Sequence, residues 1–289
     1  MVPLSRSPGH NRGADYVVVP DYLDLAHLRD AFAGAAVVVH LAARAHQHDG
    51  ADAASAYDLA NVRGARAVAE ACRVAGVRRM VFLSSIGVNG NRTCSRPFSE
   101  ADVPAPVEEY ARSKLEAERS VVECLGGGPT DFVILRPPLV YGAGCPGNFR
   151  LLLRLVHRLP VVPLGGLHQQ RSLIHVDNLC DAIVHAALHP GAAGRTFLLS
   201  DGADLNVAQI AQELCRGFGK PLSRVWALPE PLLRLLATAA GKRRAFDKLA
   251  AALAVDISAF IAATGWQPPL TPAQGLEQTA RQYLIEQQS

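Results

Sequence analysis

Four short apolar runs constrain this chain more than any other feature. They are Tyr16-Val17-Val18-Val19, residues 36–43 (Ala-Val-Val-Val-His-Leu-Ala-Ala), Arg79-Met80-Val81-Phe82-Leu83 running into Ser84-Ser85, and residues 131–136 (Asp-Phe-Val-Ile-Leu-Arg). Each is four to eight residues long and apolar at neighbouring positions, as strands buried on both faces of a parallel sheet must be. Segments of helical period separate them: Leu23 to Phe32, the Ala-rich stretch from Asp52 to Ala75 ending at Gly76, and a segment from Tyr110 to Leu125 stopped by Gly126-Gly127-Gly128. Alternating strands and helices predict βαβ units with right-handed crossovers, hence an α/β fold with a doubly wound parallel sheet. Ligands of such sheets sit beyond the carboxyl ends of the strands. Asp21, Ala42-Ala43, Ser84-Ser85 and Arg136-Pro137 all fall there.

After Pro137 the texture changes to a Gly-rich loop from Tyr141 to Gly147, a helix from Asn148 to Leu159, a strand from Arg171 to Val176 and a helix from Asn178 to Leu188. A strand from Thr196 to Ser200, a helix from Val207 to Phe218 and a mainly helical remainder follow, with a last helix from Thr271 to Gln287. Without repeats or a low-complexity linker, this reads as a sheet domain over 1–137 and a smaller, mainly helical lobe over 138–289, with 171–200 packing back on the sheet.

The 289 residues suffice for one large α/β domain with such a lobe. Net charge is +3, and the longest basic run, Lys242-Arg243-Arg244, is too short to argue for nucleic acid. Trp226 to Ala240 is the most apolar long stretch, but Pro229, Glu230, Pro231 and Arg234 break it, so no membrane span is expected. The N-terminus lacks the apolar core of a signal peptide, and the six cysteines include no CxxC pair. Together these suggest reduced thiols and a cytoplasmic protein. His46-Gln47-His48-Asp49 lacks a third defined ligand, so no metal is expected; a loop over the mouth of the site is the better reading.

The chemistry centres on Tyr110-Ala111-Arg112-Ser113-Lys114. In a helix, Tyr110 and Lys114 share a face one turn apart. An ammonium beside a phenol favours the phenolate and lowers its pKa, which lets a tyrosine take a proton from an alcohol or return one to a carbonyl. An ordinary surface pair is the bland alternative. The strand ending in Ser84-Ser85, with Ser85 25 residues before Tyr110, makes the combination specific.

These residues, with Asn61-Val62-Arg63-Gly64, Leu135-Arg136-Pro137, Val140-Tyr141-Gly142, residues 171–178 (Arg-Ser-Leu-Ile-His-Val-Asp-Asn) and Thr264-Gly265-Trp266, resemble the extended short-chain dehydrogenase/reductase family of the NAD-dependent epimerase/dehydratase type. Within it the chain is similar to bacterial enzymes acting on UDP-sugars for surface polysaccharide, epimerases and 4-ketosugar reductases among them. The resemblance implies a Rossmann-like fold, NAD or NADP as cofactor and a nucleotide-sugar substrate; a homodimer is suggested by family analogy alone. It also implies roles. Tyr110 is the acid/base, Lys114 lowers its pKa and holds the nicotinamide ribose, and Ser85 rather than Ser84 hydrogen-bonds the reacting sugar oxygen. Asp21 meets the adenine. Leu41, Ala42 and Ala43 lie along the cofactor, with Asn61, Ser84 and Pro137 beside it. Asn148 and Arg171 hold the nucleotide diphosphate, a task suited to a guanidinium fork. An N-cap for Asp21 and a surface ion pair for Arg171 are the competing readings.

The sequence departs from the family in four places. The family opens with a strand, G-x-x-G-x-x-G and a helix that binds pyrophosphate; here no such turn is found, and Val2 to Ser5 reads as the end of the second strand. Roughly 30 residues, one βα unit, are unaccounted for. Two explanations stay open: a start codon further upstream, or a truncated chain whose cofactor binding fails and which persists as a catalytically inactive nucleotide- or partner-binding homologue. Second, Ser5-Arg6 stands where an acidic residue would favour NAD, which leaves NADP open. Third, Ile86-Gly87 replaces the Asp-Glu pair of the 4,6-dehydratases, which argues against dehydration. Fourth, Leu139 stands where many epimerases carry a substrate-contacting asparagine.

Overall fold

The computed structural model describes residues 2–5, 17–45 and 53–288. Tyr16, Arg6 and the His46–Asp49 cluster lie outside the described residues. In chain order the elements are β1 (Leu4–Ser5), β2 (Val17–Val18), α1 (Leu25–Ala31), β3 (Val37–His40), α2 (Ala53–Tyr57), α3 (Gly64–Val74), β4 (Arg79–Leu83), α4 (Glu109–Leu125), β5 (Asp131–Arg136), β6 (Leu139–Tyr141) and α5 (Gly147–Arg158). Then come β7 (Gln170–Arg171), β8 (Leu173–His175), α6 (Val176–Leu188), β9 (Arg195–Leu198), β10 (Leu205–Asn206), α7 (Val207–Gly217), α8 (Glu230–Ala239), α9 (Arg243–Ala250), α10 (Ser258–Thr264) and α11 (Pro272–Gln288).

The predicted parallel sheet is present. Its strand order is β3-β4-β5-β9, and β3, β4 and β5 run parallel, with His40 opposite Phe82 and Phe82 opposite Ile134. β1 and β2 form a separate parallel pair. β4 is buried along four of its five residues, as a central strand covered by helices must be. Its first residue, Arg79, is a buried cation held by Asp131 on β5 and by the carbonyls of Ala186, Ala187 and His189. That pairing is what permits a guanidinium inside the sheet.

Two compact units emerge. The first comprises residues 1–89, 103–136 and 183–197; the second comprises 90–102, 137–182 and 198–289. Core residues of the first include Val38, Val68, Cys72, Met80, Phe82, Val121 and Ile134. The second packs Tyr141, Phe149, Leu153, Leu173, Ile210, Leu214 and Leu276.

Three element boundaries differ from those expected. The strand beginning near Ala36 ends at His40, so residues 41–45 leave the sheet as a loop. The long helix from residue 53 to 74 is interrupted by a π-helical stretch, Asp58–Arg63, a local widening often found at functional sites. The strand expected over 171–176 breaks at Ser172. Its amide donates to the Leu253 carbonyl and its hydroxyl accepts from the Val255 amide, so it pairs outside the two-strand ladder.

Candidate active site

The site in the first unit is built on α4. Tyr110, Lys114 and Glu118 recur every four residues and therefore share one face of this helix. Lys114 is 2% exposed. Its Nζ lies 4.2 Å from the centre of the Phe82 ring on β4. Burial pulls its pKa down to about 8, against an opposing pull from Glu118. Tyr110 sits beside Tyr57, with ring centroids 6.3 Å apart.

Burial raises the Tyr110 phenol above its ordinary pKa, and Tyr57 adds to the rise. This corrects the expectation that Lys114 lowers it. The ammonium lies over Phe82 and feels the Glu118 carboxylate, and the neighbour whose pKa its charge depresses is His40. The phenol is a neutral hydroxyl here, a proton donor rather than a ready base.

The two serines at the end of β4 divide cleanly. Ser84 is buried, and its hydroxyl donates to Glu118. Ser85 is half-buried and caps the 3₁₀ turn Ile86–Val88 by accepting from the Gly87 amide at 3.2 Å. Its oxygen keeps lone-pair and donor capacity for a ligand. Gly87 lets this turn close on α4: a Cβ there would lie 3.2 Å from the Ala111 Cβ and 3.4 Å from the Ser85 Oγ. Ser85 and the first turn of α4 are thereby adjacent.

Beneath them runs a buried polar network that sequence reasoning missed. Arg136, the last residue of β5, grips Glu118 with two hydrogen bonds, Nε to Oε1 at 2.9 Å and Nη2 to Oε2 at 2.6 Å, and donates from Nη1 to Asn89 at 2.9 Å. Glu118 also accepts from Ser84. The fork geometry satisfies both charges, so the pair ties α4 to the carboxyl ends of β4 and β5. The signal was available: Glu118 continues the four-residue spacing of Tyr110 and Lys114.

Asn61 is a second tie. It is 1% exposed and projects from the π-helical stretch. Its Oδ1 accepts from the Arg44 amide at 2.8 Å, and its Nδ2 donates to the Arg44 carbonyl at 3.2 Å and to Ser113 Oγ at 2.9 Å. Ser113 in turn donates to the Tyr110 carbonyl at 2.8 Å. One amide thus holds the loop beyond β3 against the turn of α4 that carries Tyr110. In that loop Leu41, Ala42 and Ala43 are exposed. His40 stacks on Phe82 at 5.7 Å and is held neutral, its pKa pushed to about 3 by burial and by Lys114. His40 Nε2 and Arg44 Nε are buried without a hydrogen-bond partner among the described residues.

Asp21, past β2, is exposed and accepts from the Leu23 amide at 2.8 Å. The N-cap of α1 is Asp24 instead. The remaining expected residues lie in the second unit. Pro137 is buried directly after β5. Asn148 is exposed in the first turn of α5. Arg171 donates through Nη1 to the carbonyls of Lys248, Leu249 and Ala251, where α9 ends. These bonds to carbonyls are not a surface ion pair, and burial lowers its pKa. The same unit buries a further polar cluster, in which Asp201 accepts from Tyr141 at 2.6 Å, the His175 amide at 2.8 Å and Asn178 at 2.7 Å. Among the described residues no cluster of three or more His, Cys, Asp or Glu could hold a metal ion.

Residues 3–200 match the NAD dependent epimerase/dehydratase family. A UDP-glucose 4-epimerase from Vibrio cholerae is 40% identical over 254 residues, covering 86% of this chain and 76% of that protein. The N-acetyl-alpha-D-glucosaminyl-diphospho-ditrans,octacis-undecaprenol 4-epimerase of Escherichia coli O157:H7 is 28% identical over 285 residues, 92% of this chain and 83% of that protein. Among solved structures, MoeE5 in complex with UDP-glucuronic acid and NAD superposes with a TM-score of 0.76 at 23% identity, covering 99% of this chain and 91% of that one. That last likeness shows a common fold. The helix face carrying Tyr110 and Lys114, the serine at the end of β4 and the matched sequence agree: the chain belongs to the NAD dependent epimerase/dehydratase family.

Proposed function

We propose that this chain is an NAD(P)-dependent nucleotide-sugar epimerase that moves hydride at C4 of a UDP-sugar, in the biosynthesis of surface polysaccharide. The observation that carries the reading is the approach of Gly87 and Ser85 to Ala111 in the first turn of α4, the residue between Tyr110 and the turn that bears Lys114. The 40% identity with a UDP-glucose 4-epimerase supports the substrate class.

The residues present fit the nicotinamide-ribose half of such a cofactor. The exposed backbone of Leu41 to Ala43 would lie along it. The unpartnered Arg44 Nε is a donor of the kind a phosphate takes. Lys114 would hold the ribose. The bound oxidised nicotinamide supplies the hydride acceptor and a positive charge that favours the tyrosinate. Tyr110 then takes the C4 hydroxyl proton as the C4–H bond breaks, and Ser85 steadies the oxygen by hydrogen bonding. Tyr110 would give back its proton when the 4-keto carbon is reduced on its opposite face, so that epimerisation would close with no net redox change.

The test is turnover of UDP-glucose by the purified chain with NAD present, followed by NMR of the sugar. Formation of UDP-galactose without net change in NADH supports the epimerase. Net consumption of NADH or NADPH with a 4-keto sugar makes the protein a 4-ketoreductase instead. Binding of UDP-sugar without turnover of either kind makes it the inactive homologue.

A further inference from the structure

One apolar face in the second unit has no role in this chemistry. Helix α8 buries Leu233 and packs Ala237 against the core of its unit. A second stripe, Leu232, Leu235, Leu236 and Ala239, follows the i, i+3, i+4, i+7 spacing and faces water. Leu235 is 65% exposed and Leu236 52%. Just upstream Trp226 is 58% exposed, and its indole N–H already donates to the Ser223 carbonyl at 2.9 Å. Just downstream Lys242 and Arg243 are exposed, and Arg244 follows in sequence.

Such a face normally indicates something that covers it. We propose that α8 docks this protein on the surface of an anionic phospholipid bilayer, lying in the interface with its outer leucines and Trp226 in the headgroup–acyl boundary. Leucine and tryptophan on one face, with cations at the end, are the composition of interfacial helices. Between residues 230 and 248 five cations stand against two carboxylates, so the patch is net positive. Four of the charges on and beside α8 partly offset one another: Arg234 pairs with Glu230 at 2.8 Å, and both Arg234 and Arg243 lie 3.6 Å from Asp247. Lys242 adds to the remaining excess. The excess attracts anionic headgroups and opposes face-to-face pairing of two copies. No helix among the described residues is long and apolar enough to cross a membrane, so the contact lies on the bilayer.

The experiment is co-sedimentation of the full chain with vesicles of phosphatidylglycerol and phosphatidylcholine in equal amounts, and with phosphatidylcholine alone. The expected result is binding to the anionic vesicles that weakens as salt is added, with a blue shift of Trp226 emission; Trp266, 1% exposed, stays silent. Replacing Lys242 and Arg243 together by Gln lowers the partition coefficient roughly thirty-fold, which follows from ~1 kcal/mol per basic residue near the surface. Leu235→Glu with Leu236→Glu abolishes binding while the circular dichroism melt stays unchanged, and Trp226→Ser, on a separate segment, weakens it. No binding to anionic vesicles, undiminished binding of the glutamate pair, or a dimer that the glutamate pair splits while vesicle binding is absent would overturn the proposal.

Discussion

The Lys114 ammonium stands over the Phe82 ring, 4.2 Å from its centre, and His40 stacks on that same ring from the neighbouring strand. A desolvated cation over an aromatic face gains on the order of 2 kcal/mol, which offsets part of the cost of burying the amine. The remaining cost appears as the amine's pKa of about 8.

That value sets a pH dependence. In the unfolded chain Lys114 holds its proton up to its ordinary pKa of 10.5, whereas in the folded chain it releases it near 8. Between these values the unfolded state binds more protons, so folding stability rises with pH. The contribution is full above the unfolded pKa and is lost as pH falls through 8, a span worth roughly 3 kcal/mol. Lys114→Met should flatten this part of the stability curve, measured by urea unfolding at a series of pH values. An identical curve for the variant would mean the amine is solvated. Turnover of the unaltered enzyme should decline above pH 8 as the ammonium is lost.

Tyr110→Phe removes the hydroxyl proposed as the acid/base. It should lower kcat by about 10²–10⁴-fold, the usual worth of a positioned acid/base, with KM little changed. Among the described residues the phenol makes no hydrogen bond whose loss would unfold the site, and its ring contact with Tyr57 survives the change. A normal melting curve beside a near-normal kcat would remove the central assignment.

The sheet and its connections were legible because parallel strands buried on both faces leave unbroken apolar runs, as at Val37–His40 and Arg79–Leu83. The Tyr110–Lys114 face was legible because helical spacing is written in the sequence. The direction of the Tyr110 pKa was not, since burial and the competing attractions of Glu118 and Phe82 depend on packing from β4 and from the next turn of α4. The π-helical stretch around Asn61 was hidden for a similar reason: Arg44, its backbone partner, is 17 residues away, and no local propensity marks it. The partners of Arg171 were hidden likewise, because the carbonyls that take its Nη1 come from the end of α9, 77 to 80 residues further on.

Gly87→Ala tests how closely Ser85 must approach α4. The added methyl would meet the Ala111 Cβ at 3.2 Å and the Ser85 Oγ at 3.4 Å. The backbone there needs no positive φ, so the effect is crowding rather than strain. A shift of a few tenths of an ångström at Ser85 should cost about ten-fold in kcat, given the steep dependence of catalysis on positioning. The stability change should stay within the 1–3 kcal/mol of mild overpacking. Equal losses in kcat for Gly87→Ala and for Gly87→Ala on a Ser85→Ala background would show that Ser85 is not what the methyl displaces.

Glu118 and Arg136 offer the sharpest separation of positioning from proton transfer. Both side chains are nearly inaccessible, at 6% and 7%, and each satisfies the other's charge. Removing one partner alone, as in Arg136→Met, leaves a buried carboxylate beside Ser84 and should cost about 3–5 kcal/mol, read as a lower urea midpoint. Replacing both by apolar residues of similar volume, Glu118→Leu with Arg136→Met, should recover much of that stability, because no uncompensated charge remains. Catalysis should not recover in parallel. Without Glu118 the Lys114 ammonium loses its charge partner, so its pKa falls further and the alkaline limb of the rate profile moves to lower pH. A double variant with restored stability but an unmoved alkaline limb would mean that Glu118 only ties α4 to the sheet and does not tune Lys114.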